Sequence, residues 1–345
     1  MSSSVPDNRQ PTTDNFSPSW WLPGPHSQTV WGRLARPRRA VALRREVLRT
    51  PDDDDLVVDH LDQGVTNRSA RFVLLHGLEG SSYSVYIQGM LRVIARYGFA
   101  ATAMNFRSCA RDPNRMSQML MNRRPWLYHS GETGDLDFLI RTLTERDPDT
   151  PLVAAGVSLG GNALLKWLGE HPQQRSVIAA ATMSVPYDLD AGARQLERGA
   201  GRLYVAHFFQ TMRAKTLSVV ERFPETRPKV DVPGAMRART FYEFDNASTA
   251  PIHGFRDAED YYTRSSSLPF LRFISIPTLC INAEDDPFLP ADVLIRARAA
   301  ASPSVEFRVT PRGGHTGFIA GATPWRAEYW AEELMVRWVA QQAGR

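Results

Sequence analysis

Cysteine is nearly absent from this chain of 345 residues: Cys109 and Cys280 are its two, and no C-x-x-C pair occurs. That scarcity excludes a disulfide framework and a paired-cysteine zinc site, and it fits a reducing compartment, so the expected localisation is cytoplasmic. No run of about 18 apolar residues is present, and no transmembrane helix is expected. The N-terminus, MSSSVPDNRQPTTDN, lacks the apolar core of a secretory signal, and residues 1–18 read as a disordered tail. Internal repeats and long low-complexity tracts are missing too, which excludes a solenoid. Lysine is scarce: Lys166, Lys215 and Lys229 stand against 41 basic residues in all, for a net charge of +4. The densest basic run, RLARPRRAVALRR (33–45), comes with no nucleic-acid motif and reads as a solvated surface arm. No nucleic-acid partner is expected.

What is present is the composition of an ordinary globular protein, 43% hydrophobic and 23% charged. Short apolar runs bounded by turn residues read as buried strands: 71–76, 99–106, 151–157, 176–185, 276–283 and 305–310. Segments of helical spacing lie between and after them, at 83–98, 131–146, 159–171, 291–301 and 324–342, the last opened by Thr323 and Pro324. This alternation predicts an α/β fold with a mostly parallel sheet flanked by helices. It breaks over 187–265, which is rich in Arg, Tyr and Phe and reads as a mainly helical cap insertion over the C-terminal edge of the sheet. The expected organisation is a core of 19–186 and 266–345 carrying that cap.

The stretch GVSLGG (156–161) follows a predicted strand and opens a predicted helix, giving G-x-S-x-G as Gly156, Ser158 and Gly160. A serine on so sharp a turn needs glycine two residues to either side, and the turn presents its hydroxyl beside unpaired helix N–H groups. A hydroxyl is a weak nucleophile and requires a base. Of the eight histidines, His315 in PRGGHTGF (311–318) lies in a glycine-rich loop between the last predicted strand and the last predicted helix, where it can reach back over the sheet edge. Chain order places the acid between them, after strand 276–283, in EDDPFLP (284–290). The oxyanion donors are expected to be the backbone N–H groups of Leu159, next to the nucleophile, and of Leu78 in HGLEG (76–80). His76 reads as an anchor of that loop.

These residues resemble a known family, the YheT-like branch of the α/β-hydrolases. WWLPGPHSQT (20–29), HGLEGSSYSVY (76–86), NFRSC (105–109), YHSGETGDLDFL (128–139), GVSLGGN (156–162), IHGFRDAEDYY (252–262), NAEDDPF (282–288) and GGHTGFIAG (313–321) carry the resemblance. It implies the α/β-hydrolase fold, Ser158 as nucleophile and His315 as base. It implies hydrolysis of short- to medium-chain acyl esters through an acyl-enzyme, with a small-molecule ester as partner and no metal or organic cofactor. The alternatives are transfer of the acyl group to an alcohol, lipase or phospholipase action, and a non-catalytic binding protein on the same fold. The acid of this fold commonly precedes a proline by four residues; Asp286 and Pro290 fit, leaving Asp285 as the alternative acid, pointing away or capping the turn to helix 291–301. The chain departs from the family at Ser108, where glycine is usual, and at Arg312, where histidine is usual. His26 and Glu132 are expected to fix the N-terminal segment and a loop against the core. Trp20, Trp21 and Trp31 are expected to pack across a sheet edge, with a peripheral lipid contact as the other reading.

Overall fold

The computed structural model describes residues 15–37 and 40–344. Eight strands form one sheet: β1 (Arg44–Arg49), β2 (Asp55–Leu61), β3 (Asn67–Leu75), β4 (Phe99–Met104), β5 (Leu152–Val157), β6 (Val177–Met183), β7 (Thr278–Ala283) and β8 (Val305–Thr310). Their order across the sheet is β1-β2-β4-β3-β5-β6-β7-β8. β2 runs antiparallel to both its neighbours, and every pairing from β4 through β8 is parallel. The central strands are buried along their whole length, which is why FAATAM, LVAAGV and TLCINA read as continuous apolar runs. β1 and β2 escaped sequence reading because RREVLR and DLVVDHL interrupt their apolar positions with charges.

Helices cover both faces. α1 (Pro25–Ala35), α2 (Val85–Arg96), α3 (Gly134–Arg146) and α4 (Leu159–Glu170) precede the cap. The cap then supplies α5 (Leu189–Leu196), α6 (Gly201–Arg222), α7 (Val232–Arg237), α8 (Phe241–Phe244), a π turn (Asp245–Thr249), α9 (Ala250–His253) and α10 (Ala258–Ser265). α11 (Ala291–Ala300) and α12 (Trp330–Ala343) complete the core. Leu136, Trp167 and Val293 pack on one face of the sheet, and Met90, Leu334 and Val336 on the other. A separate apolar cluster inside the cap joins Phe209, Phe241 and Tyr262, and Leu78 and Phe288 of the core pack against it. Each such side chain removed from water contributes about 1.5–3 kcal/mol.

Four expectations need correction. Residues 324–342 are not one helix: Pro324–Arg326 makes a single 3-10 turn, and Glu328–Tyr329 pairs with Ile319–Ala320 before α12 begins. That pairing overrides the helix-start signal of Thr323 and Pro324. Residues 1–14 of the expected tail lie outside the described residues, but Phe16 packs against Phe318 and Trp330, with ring centroids 5.8 and 5.2 Å away. The basic run is no solvated arm: α1 ends within it, Arg36 is buried against Glu332, and Arg45 on β1 pairs with Asp59. Residues 38 and 39 of that run lie outside the described residues. Trp21 and Trp31 pack on each other at 4.7 Å, and Trp21 donates to Gly321 O, so they brace the loop after His315 and not a sheet edge; Trp20 stays exposed.

Candidate active site

β5 runs into α4 through Ser158 alone, at φ 53° and ψ −119°. A side chain in that left-handed region costs of order 1–3 kcal/mol and persists only where the surroundings hold it. Here the Ser158 N–H donates to Met183 O (2.8 Å) and Asn162 N–H donates to Ser158 O (3.0 Å). Gly160 is required by packing: a Cβ there would lie 2.5 Å from His76 O, and one on Gly156 would lie 2.6 Å from Gly160 O. The turn can form only with bare backbone at both positions.

Ser158 Oγ lies 3.0 Å from His315 Nε2. On the other side of the ring, Nδ1 is 2.9 and 3.1 Å from the two oxygens of Asp286. Asp286 is buried at the end of β7 and also accepts the Phe288 N–H (2.8 Å). With a carboxylate at Nδ1, the imidazole carries its proton there and leaves Nε2 free to accept from serine. The Phe288 ring lies flat on the imidazole, 4.0 Å between centroids and 6° from parallel. Three residues from three loops, 128 and 29 positions apart along the chain, thus form one line of hydrogen bonds.

Asp285 neither points away nor caps the turn to α11. Its Oδ1 accepts the Gly314 N–H at 2.9 Å, one residue before His315. Burial pushes the Asp285 carboxyl above its ordinary range, opposed by the N–H groups of Gly314 and Gly313. The same loop is gripped from α1: Thr29 Oγ1 accepts the His315 N–H (2.9 Å), and Gln28 bonds both the N–H (2.7 Å) and the carbonyl (3.2 Å) of Ile319. Gly314, at φ 60°, lets Pro25 O approach to within 2.4 Å of where a Cβ would stand. This is the role of PHSQT in the fold. His26, expected to hold that segment to the core, instead meets Tyr204 of the cap, with Nδ1 3.0 Å from Oη.

In the loop after β3, nearly every N–H is engaged. Gly77 donates to Tyr86 Oη (2.9 Å), Glu79 to Tyr128 Oη (2.7 Å) and Gly80 to Gly77 O (3.0 Å). Among the described residues the Leu78 N–H has no such partner, and Leu159 is the first residue of α4, whose N–H has none within the helix. Leu78, Leu159, Ser158 and His315 all line one cavity. His76 anchors the loop: Nδ1 is 2.8 Å from Gly77 O, and Nε2 accepts the Phe106 N–H at 3.1 Å. Burial lowers its pKa to about 4, so it is neutral and hydrogen-bonded at both nitrogens.

Two further motifs acquire reasons. Ser108 has φ 59°, a conformation that favours glycine, and its N–H and Oγ meet Asn122 Oδ1 at 2.5 and 3.3 Å, which holds the strained residue in place. Glu132 accepts the N–H groups of Gly134 and Asp135 at the start of α3, and with His129 beside it its pKa falls to about 2. His60, bonded to Thr102, and His171, stacked on Trp167, stand apart from Ser158, while His207 is an exposed residue of the cavity wall. Cys109 is buried without a histidine, its thiol pushed up to about 11 by burial.

The cavity holds about 1100 Å³. The cap gives it apolar walls, among them Leu196, Phe208, Met212, Phe241 and Tyr261. Among the described residues no group of three or more His, Cys, Asp or Glu is placed to hold a metal ion, and no helix is long and apolar enough to cross a membrane.

The model of the α/β-hydrolase fold matches residues 70–322. The chain belongs to the α/β-hydrolases. It is 34% identical over 334 residues to the Escherichia coli protein named "Putative esterase YheT", covering 96% of this chain and 95% of that one. It is 30% identical over 323 residues to phospholipase ABHD3 of Homo sapiens, covering 92% of this chain and 76% of that one. The YheT-like branch read from the motifs is therefore the branch matched. Among solved structures, the esterase EaEST from Exiguobacterium antarcticum superposes with a TM-score of 0.53 at 14% identity, over 88% of this chain and all of that one. The Pyrococcus furiosus esterase Pf2001 gives 0.52 at 14%, over 89% and 96%. At such identities these two establish a shared fold.

Proposed function

We propose that this α/β-hydrolase is a serine carboxylester hydrolase acting through an acyl-enzyme. The observation that carries the reading is the unbroken line Ser158 Oγ, His315 Nε2, His315 Nδ1, Asp286 Oδ2, at 3.0 and 2.9 Å. As Ser158 Oγ attacks the ester carbonyl, its proton passes to His315 Nε2, and Asp286 stabilises the imidazolium. The carbonyl oxygen becomes an oxyanion facing the N–H groups of Leu159 and Leu78, each such donor worth about 3 kcal/mol in the transition state. His315 returns the proton to the leaving alcohol. Water then enters, gives its proton to His315 and attacks the acyl carbon; the bond to Ser158 Oγ breaks as His315 returns the proton to that oxygen, releasing the acid and restoring the free serine.

The apolar cap walls suit the acyl part of the ester, and the names of the relatives, esterase and phospholipase, are consistent with acyl-ester substrates. A panel of p-nitrophenyl esters of rising chain length tests the reading, with turnover expected for short to medium chains. Absence of turnover across the panel contradicts it.

The cap-covered cavity also favours a second reading, in which an alcohol replaces water as acyl acceptor. Product partition with ethanol present separates the two, because an acyltransferase yields mainly the ethyl ester while a hydrolase yields mainly the acid.

A further inference from the structure

Lys215 is one of the few lysines in the chain, yet it is sealed inside the protein on cap helix α6. Its Nζ donates to Glu79 Oε1 (2.8 Å) and to Cys109 Sγ (3.2 Å), and it lies 4.9 Å from the centre of the Tyr128 ring. Glu79 belongs to HGLEG and follows Leu78 directly. It sits at φ 55°, a left-handed conformation that a side chain adopts only under constraint. The constraint is visible: the Glu79 N–H donates to Tyr128 Oη, and that hydroxyl donates back to Glu79 Oε1 at 2.8 Å. Burial pushes the Glu79 carboxyl up, but the Lys215 charge and the hydrogen bonds the carboxylate accepts together more than offset it, and its pKa lies below the ordinary value. Glu79 Oε2 has no hydrogen-bond partner among the described residues, so the carboxylate depends on what Oε1 receives. Breaking a buried pair from one side strands the other charge, whereas removing both is far less harmful.

We infer that Lys215 is a positioning residue: through it the cap grips Glu79 and holds the adjacent Leu78 N–H at the cavity onto which Ser158 opens. The cap then completes the oxyanion site as well as roofing the acyl pocket. This rests on the ester-hydrolase reading, with Leu78 as an oxyanion donor.

The test compares Lys215→Met, Glu79→Gln and the double variant with the wild type. Steady-state kinetics on a soluble p-nitrophenyl ester are read beside the affinities of two inhibitors. One is a trifluoromethyl ketone, to which Ser158 adds to give an oxyanion; the other is the matching amide, which does not react. Each single variant is expected to lose about 10–100-fold in kcat with KM little changed, as befits a displaced donor. The ketone should weaken in parallel while the amide binds as before, and the double variant should lose no more than the worse single. A folded Lys215→Met enzyme with wild-type kcat, equal weakening of ketone and amide, or losses that multiply in the double variant would each overturn the inference. Should Lys215→Met fail to fold, the double variant decides by the same ratio of ketone to amide. Wild-type turnover with unaffected variants rejects the clamp alone; a wild type inert toward every ester rejects the ester-hydrolase reading and the clamp with it.

Discussion

Asp286 and Asp285 are neighbours that brace one loop at two points. Asp286 meets the ring of His315 at Nδ1, and Asp285 meets the backbone of Gly314 just before it. The two carboxylates leave the same turn after β7, one reaching the imidazole ring and the other the backbone that carries it. Their substitutions should differ accordingly. Asp286→Asn presents an amide to Nδ1, favours the wrong tautomer, and is expected to lower kcat by roughly 10⁴-fold. Asp285→Asn keeps an oxygen able to accept the Gly314 N–H, and the loss should stay within about tenfold. Steady-state kinetics on one ester check both, and the reverse ranking would assign the acid to Asp285.

The grip of α1 on the histidine loop makes a second prediction. Thr29→Val removes the acceptor of the His315 N–H while conserving volume, and kcat should fall about tenfold, one hydrogen bond's worth of misplacement. Gln28→Ala takes the Gln28 acceptor from the buried Ile319 N–H, at a cost of about 1–3 kcal/mol, while the Ile319 carbonyl keeps the Ser19 N–H and hydroxyl as donors. Urea unfolding should show the second variant as the less stable, with kinetics singling out the first.

Gly160 offers a test of the elbow that is independent of any reaction. A methyl group there meets the backbone of Leu75 and His76 at 2.5–2.7 Å, where no side chain can swing aside. Gly160→Ala should therefore cost about 3 kcal/mol or more, seen as a lowered melting temperature. An alanine variant as stable as the wild type would mean that this turn is not as tight as described.

Asp245 opens the π turn of the cap, buried and bonded by the hydroxyls of Tyr262 (2.6 Å) and Thr249 (2.5 Å). Burial pushes its carboxyl up to about 6, against an ordinary 3.8. Because the folded-state pKa is the higher one, the contribution of Asp245 to stability is complete below about pH 4 and is lost as pH rises through about 6. Asp245→Asn stays neutral throughout, so between those limits it should gain on the wild type by about 3 kcal/mol. Melting temperatures at pH 5 and pH 7.5 check this: about one pH unit of that window, about 1.4 kcal/mol, lies between them, so the gap between variant and wild type should move by about 2 °C in the variant's favour. A gap independent of pH would contradict the assignment.

Much of the fold was legible because the central strands are buried on both faces and the helices are amphipathic, so apolar runs and helical spacing marked them in turn. The elbow was legible for a steric reason, since a turn that tight tolerates glycine alone at Gly156 and Gly160. His315 followed from chain order, and Asp286 from its spacing to Pro290. What stayed hidden depends on contacts between distant segments. Nothing local to Thr29 or Gln28 shows that they hold a loop nearly 290 residues away, and nothing local to Lys215 shows that it meets Glu79. β1 and β2 were missed because their charged residues are paired across strands, as Arg45 is with Asp59. Asp285 was misplaced because its partner is a backbone N–H, which leaves no trace in sequence.

The central claim is that Ser158 is the nucleophile, activated by His315. The most direct measurement is labelling with a fluorophosphonate, which phosphonylates an activated serine, followed by peptide mapping of wild type and Ser158→Ala. The wild type should be labelled at Ser158 and nowhere else, with labelling abolished in Ser158→Ala and strongly slowed in His315→Ala. Equal labelling of wild type and Ser158→Ala, or none in the folded wild type, would contradict the account.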